Sequence, residues 1–436
     1  MTSVDPVSCG EVVETARRLV VGTDCWLGEN AARFDPLVGQ SRRREVRQKA
    51  FCELAMYLDS SFAHGDDGPA ACRQLLTERA TTPDYYRQFL RHPRQFPHLA
   101  YPLAALSRQD DLPARVERLF ERTATLSAAR QPGRPVSRQL DYWHTCLVYG
   151  IRPDDFDPQA LLEHGYTSCR INAVDADIGA AYGITHELLF YHNLGNDRAE
   201  FPDEPLSYEA PDTILGLLFR FLAEDHVDAV VELLFVGVLQ RQVPPGLVRY
   251  VLGWLADRVG GDGALRFPTD DPLELRTYTG VNPELWEDNE VGWRCHYHPT
   301  IVFGMLCRTV ARDWHQIRRE SPARNITHDA VDDQLDTLGT ALSALADYSL
   351  ERGSEALAEL ADTPIVSVYD DVVDHGVEFL QRQLYGQFPG SWVDERGQFT
   401  DGDRTREAFR REILDPLDDR IETTLEAVRS DESDGE

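Results

Sequence analysis

Apolar residues along this chain recur at three- and four-residue spacing, and convincing apolar-polar alternation is absent. That period predicts helices over 11–21, 42–60, 113–130, 136–150, 177–193, 213–240, 246–258, 298–315, 328–351, 370–385 and 404–428. Capping chemistry agrees at several ends. Asp212 precedes Thr213-Ile214-Leu215, Pro299 falls where a first-turn proline fits, and Gly150 and Gly195 stand where helices close. The chain therefore reads as all-α.

Two populations of helix are visible. Segments 113–130 and 404–428 carry a charged face, whereas Ala229–Leu239 and Ile301–Cys307 are apolar on every side and must be enclosed by other helices. An inner ring of buried helices wrapped by an amphipathic outer ring, an α/α toroid, reconciles the two; a two-layer helical solenoid is the competing arrangement. Residues 1–429 are expected to form one such domain. Residues 260–297, rich in glycine and proline with little helical period, read as a long irregular loop, and a loop of that length usually covers or builds a site. The stretch 430–436 reads as an acidic disordered tail.

Composition narrows the function classes. The 436 residues are 42% hydrophobic with seven tryptophans, enough for a large core, so global disorder is excluded despite a net charge of −30. No apolar run reaches about 18 residues and no secretion signal opens the chain, so a soluble cytoplasmic protein without membrane attachment is expected. Lys49 is the chain's only lysine, the other basic residues all being arginine. Arginine with abundant carboxylates is the balance of a salt-loving, haloarchaeal protein, because at molar salt the Debye length falls to about 3 Å and such a charge is screened. Basic clusters interleaved with aromatics are absent, which argues against nucleic acid as a partner. The eight cysteines include no CxxC pair, so a zinc ribbon is excluded and buried thiols are expected.

Several constellations could carry chemistry. His186-Glu187 opens like a zincin, but the next histidine, His192, is six residues on. Six residues turn a helix by about 600°, which leaves the two side chains roughly 120° apart and unable to share a metal. Asp141-Tyr142-Trp143-His144 and Trp293-Arg294-Cys295-His296-Tyr297-His298-Pro299-Thr300 place further histidines near helix starts, where they suit capping, acid–base work or metal ligation. His186, His298, His296 and Cys295 form the candidate metal set, with zinc the favoured ion and magnesium the lesser one. Asp228 and Glu232, one turn apart on an apolar helix, are buried carboxylates that need partners. Asp370-Asp371-Val372-Val373-Asp374 and Asp332-Asp333-Gln334-Leu335-Asp336 match the magnesium motif of prenyl-diphosphate enzymes. With 74 acids in 436 residues, roughly two such matches arise by chance, so they carry little weight.

The elements Phe89–Pro97, Arg138–Asp141, Tyr182 with Thr185-His186 and Phe190-Tyr191, Asp228 with Glu232, and Tyr297–Thr300 follow one another over most of the chain. In this pattern, above all its Thr-His…Phe-Tyr element, the chain resembles an uncharacterised all-helical, toroid-like family of unknown function, seen mainly in actinobacteria and suspected of a natural-product role. It departs from that pattern at Asn193-Leu194-Gly195, where Asp-Phe-Gly is expected. The resemblance promotes His186, His298, Asp228 and Glu232 and supplies no reaction. Lanthionine cyclases and protein prenyltransferases are also α/α toroids with zinc in the central cavity, and Cys295-His296 is similar to the ligand pair of a lanthionine cyclase, with Tyr297 in place of the usual glycine. That is analogy of fold, which does not carry function.

Two functional expectations follow. In the first, an enzyme acts on a peptide or small natural-product intermediate in a central cavity, with His186 and His298 as acid–base or metal-binding groups, Asp228 and Glu232 orienting them, and 260–297 as a lid. In the second, a non-catalytic toroid presents a groove to a peptide or protein partner. A magnesium-dependent prenyl-diphosphate enzyme is the third and weakest. The sequence does not give an oligomeric state.

Overall fold

The computed structural model describes residues 7–322, apart from 40, 109–111, 113, 131–132, 154–155, 170, 172–175, 197–200, 202–212, 270–274 and 276–287, together with 331, 332, 335 and 337. The chain divides into two compact units, Met1–Ile171 with Ala176–Val331, and Asn172–Asp175 with Asp332–Glu436. The helices named below belong to the first. The expected helices over 370–385 and 404–428, most of that over 328–351, the tail 430–436 and Asp370, Asp371 and Asp374 lie outside the described residues.

Among the described residues there are fourteen α-helices: α1 (Val7–Asn30), α2 (Ser41–Ala63), α3 (Ala70–Ala80), α4 (Pro83–Arg91), α5 (Phe96–Ser107), α6 (Ala114–Ala124), α7 (Ser127–Arg130), α8 (Val136–Tyr149), α9 (Pro158–Leu162), α10 (Ile178–Tyr191), α11 (Thr213–Ala223), α12 (Val227–Leu239), α13 (Pro245–Ala256) and α14 (Asp288–Glu320). The only β pairing among those residues is a single bridge, Val259 with Leu265. The all-α expectation is met. None of the described helices is long and apolar enough to cross a membrane.

Six helices pack pairwise into a closed ring: α2 on α5, α5 on α8, α8 on α10, α10 on α12, α12 on α14, and α14 back on α2. The ring includes the segments that look apolar all round. Every residue from Val227 to Val238 is buried in α12, and so is every residue from Ile301 to Val310 in α14. The remaining helices lie against this ring, α1 on α14, α11 on α12 and α6 on α5. Of the expected amphipathic segments, 113–130 becomes α6 and α7.

Three differences from the sequence reading have local causes. The run 213–240 is two helices, because His226 N–H reaches Phe221 O at 2.9 Å and Asp225 N–H reaches Leu222 O at 3.2 Å, a double C-terminal closure with Asp225 left-handed at φ 55. His226 then caps α12 by accepting Ala229 N–H at 3.3 Å. Helix α5 hides behind Pro97 in its first turn and Pro102 in its interior, which break the expected pattern although nearly the whole helix is buried. Helix α14 begins at Asp288, ten residues earlier than expected, so Pro299 stands inside it instead of opening it. The early turns are held by Trp293 stacked on Tyr297 at 5.1 Å and by Arg47 paired with Glu290. The expected loop 260–297 is thus helical over its last ten residues, and Ala264, Leu265 and Phe267 are packed core. The middle of that loop, and with it the expected lid, falls largely outside the described residues.

Candidate functional site

All six ring helices contribute to one cavity of about 70 Å³, room for several waters or a small molecule's head group. Its polar wall comes from Lys49 and Glu53 on α2, His98 on α5, Arg138 and Asp141 on α8, His186 on α10, Glu232 on α12 and His298 on α14. The rest of the lining is apolar, with Met56, Leu189, Phe190, Leu194, Ile301 and Val302 among its members.

Helix geometry explains how the polar groups meet. Asp177 caps α10 by accepting Ala180 N–H at 2.7 Å, and the helix then sets Tyr182, Thr185 and His186 on one face at three- and four-residue steps. On the facing helix α12, Asp228 and Glu232 are also one turn apart. The Tyr182 hydroxyl donates to Asp228 Oδ2 and the Thr185 hydroxyl donates to Glu232 Oε2. Each carboxylate therefore has one oxygen held by α10 and the other turned towards His298. His298 Nε2 lies 2.9 Å from Glu232 Oε1 and 3.7 Å from Asp228 Oδ1, and the latter oxygen is buried without a hydrogen-bond partner. Across the same ring, His298 Nδ1 faces Glu53 Oε2 at 3.3 Å, and Glu53 Oε1 accepts Lys49 Nζ at 3.2 Å. His186 Nε2 stands 3.8 Å from Glu232 Oε1.

Electrostatics follow from these contacts. Burial works against charging His298, but Asp228, Glu53 and the hydrogen bond to Glu232 outweigh it and hold its imidazole well above the ordinary value. Burial likewise opposes ionisation of Glu232 and Glu53. The pull of His186 when charged, and the contacts of His298 and the Thr185 hydroxyl, nonetheless keep Glu232 low, and Lys49 with His298 keeps Glu53 low. Lys49 is raised chiefly by Glu53. His186 moves the other way: burial lowers it, only partly offset by Glu232, so its ring is neutral near pH 7. Tyr182 is raised by burial and by Asp228, which keeps its hydroxyl a donor. Asp141, buried beside Arg138, is pushed up to about 6 by desolvation.

The four residues singled out as catalytic, His186, His298, Asp228 and Glu232, stand together here. The candidate metal set does not. His296, two residues from His298 on the helix, is turned to another face and lies against Phe267 at 6.2 Å; Cys295, three residues away, is buried and is not among the residues that line the cavity. His144 belongs to a neighbouring wall, donating from Nε2 to Asn193 Oδ1 at 3.0 Å while stacked on Tyr101. Asn193 and Leu194 both hold positive φ, 52° and 55°, and Leu194 lines the cavity. The departure from Asp-Phe-Gly thus falls on a strained turn, which Arg312 also holds through Gly195 O at 3.0 Å. Glu187, the second residue of the zincin-like pair, points away and accepts the Tyr166 and Thr167 N–H groups at 3.0 Å each. Lys49 and Glu53 were not singled out as site residues; the signal available was that a chain otherwise wholly reliant on arginine keeps one lysine.

Among the described residues, Asp228, Glu232 and His298 form the group whose ligand atoms all lie within 4.8 Å of one another. Atoms held about 2.0–2.1 Å from a tetrahedral zinc are about 3.3 Å apart, and the observed 2.9 and 3.7 Å straddle that spacing. No curated protein and no solved structure matches the chain. A family model does match over residues 22–308, a span that contains every residue of the cavity wall, and the chain accordingly belongs to the family described as domain of unknown function DUF6895.

Proposed function

We propose that this protein is a metal-dependent enzyme whose centre is a divalent cation held by His298 Nε2, Asp228 Oδ1 and Glu232 Oε1. The observation that carries this reading is the combination of a buried, unpartnered Asp228 oxygen with a histidine whose far nitrogen is backed by a carboxylate. Metal-ligating histidines almost always have such a partner on the other ring nitrogen, because it fixes the tautomer and raises ligand basicity. Two carboxylates and an imidazole suit a first-row divalent ion, zinc first, better than magnesium, and three protein ligands leave a position open. A bound ion would act as a Lewis acid on a substrate oxygen. His186, neutral and beside Glu232, is the general base of this reading, and Tyr182 and Thr185 fix the carboxylates.

The six-helix ring, read as the inner layer of an α/α toroid, would enclose this chemistry in a small cavity, which favours a small molecule over a folded partner. The scaffold reading gains no support from a cavity so densely lined with charge. A metal-free reading has one observation behind it: a protonated His298 clamped by Glu53 and Glu232 beside a neutral His186 is an acid–base pair.

Metal content separates the two. Protein purified without chelator in molar KCl should carry about one equivalent of divalent metal, lost in Asp228→Asn and in His298→Ala while circular dichroism shows both still folded. A folded wild type that neither carries nor takes up zinc or manganese would overturn the metal centre and leave acid–base chemistry.

A further inference from the structure

The cavity lining holds further polar groups besides those that meet at His298. Glu53 links the two groups, its Oε2 facing His298 and its Oε1 facing Lys49. Arg138 and His98 line the same cavity as Lys49. Arg138 makes one ion pair among the described residues, with Asp141 at 3.6 Å, long for a guanidinium that carries five donors in a fork. Its side chain is 44% exposed, so the fork is free to meet a ligand. His98 is held neutral by burial together with Arg138 and Lys49, which marks both cations as its near neighbours.

Lys49 adds a compositional argument. A chain that places arginine at every other basic position keeps its single lysine here. An arginine would tend to close on Glu53 as a bidentate pair, whereas an ammonium holds Glu53 with one donor and keeps others for a ligand. Ligand charge follows from a count. Glu53, Asp141, Asp228 and Glu232 contribute four negative charges when ionised, and Lys49, Arg138 and a divalent ion contribute four positive ones. A monoanion leaves the site about one charge from neutral and a phosphate dianion about two, in a place where unbalanced charge is costly. Phe190, Leu189 and Val302 supply an apolar surface beside these groups.

We propose that Lys49 and Arg138 form a subsite for a carboxylate, and that the substrate is a carboxylate with a short apolar chain whose other end reaches the metal. The placing of the substrate's other end and the charge balance that favours a monoanion over a dianion both rest on the metal-centre reading, whereas the Lys49–Arg138 pair itself does not, and the test keeps the two apart. Zinc-loaded and metal-stripped wild type and Arg138→Gln are titrated with butyrate, with N-acetyl-Gly-Leu and with inorganic phosphate, followed by ligand-observed NMR. Arg138 is 44% exposed and glutamine still offers Asp141 an N–H donor, so the variant is expected to fold, which circular dichroism checks. Butyrate or the peptide should bind wild type, and Arg138→Gln should weaken that binding at least tenfold with zinc stoichiometry unchanged. Preference for butyrate assigns a free short-chain acid, and preference for the peptide assigns a peptide C-terminus. Phosphate binding more tightly than either, or carboxylate binding indifferent to Arg138→Gln, overturns the subsite. Carboxylate binding in a protein that takes no zinc removes the metal centre and leaves the subsite standing; zinc uptake without carboxylate binding does the reverse.

Discussion

Glu53→Gln tests how the site is held without touching a proposed ligand. Glutamine keeps the shape of the side chain but removes its charge and one of its two accepting oxygens. In the native arrangement both oxygens face cationic groups, Oε1 facing Lys49 Nζ at 3.2 Å and Oε2 facing His298 Nδ1 at 3.3 Å, the latter an ion contact without an aligned hydrogen bond. The amide NH2 must then oppose either an ammonium or an imidazole N–H, and with the native side chain only 12% exposed, water repairs little of this. Removing the carboxylate behind a ligating histidine typically lowers metal affinity 10–100-fold, or about 1.4–2.7 kcal/mol. A separate stability cost of about 1–3 kcal/mol follows from the mismatched donor. The low end of that range applies, because Lys49 is 37% exposed and can turn towards water. Chelator-competition titration of zinc into metal-stripped wild type and variant, with urea unfolding of both, measures the two effects separately. A folded Glu53→Gln protein that holds zinc as tightly as wild type would refute the claim that Glu53 orients His298, and would cut Lys49 off from the metal.

Three further predictions concern the frame around the cavity. Glu187→Ala strips the Tyr166 and Thr167 N–H groups of their acceptor, each bond being 3.0 Å, and should lower unfolding free energy by about 1–3 kcal/mol in urea titrations; no change would mean the turn finds other acceptors. Gly263→Ala should cost at least about 2 kcal/mol by the same measurement, since Gly263 holds φ +92 and a Cβ there would stand 2.1 Å from Gly22 O on α1; a neutral result would show that the 260–265 turn is not packed as described. His144 is held neutral by burial, its value lowered to about 3 against an unfolded value near 6.5. Its contribution is complete above about pH 6.5 and is lost as pH falls towards 3, because the unfolded chain takes up the proton first. At pH 5 the loss is about 2 kcal/mol. His144→Gln, which can still donate to Asn193, should therefore flatten the fall in stability between pH 7 and pH 5 by that amount. An unaltered pH slope would mean that the folded protein accommodates the charged ring.

The parts of the site that sequence made visible are those where burial and charge conflict on a single element. Asp228 and Glu232 stand out because every neighbour on α12 is apolar, so two carboxylates there demand partners; the structure supplies Tyr182, Thr185 and His298. The enclosed character of α12 and α14 was legible for the same reason. What stayed hidden depended on which way a mixed helix faces. Lys49 and Glu53 are one turn apart just after Arg42-Arg43-Arg44, a run that reads as a short solvated face. Spacing alone carries no information about what lies opposite. Helix α2 is packed by α5 on one side and α14 on another, so even Arg47 and Gln48 are only 6% and 5% exposed. A ring brings a charged helix face inward as readily as an apolar one when the centre of the ring is polar. The amphipathic pattern that assigns other helices to the surface therefore fails at the helix that backs His298, and the lone lysine, a matter of composition and not of period, was the one mark the sequence left there.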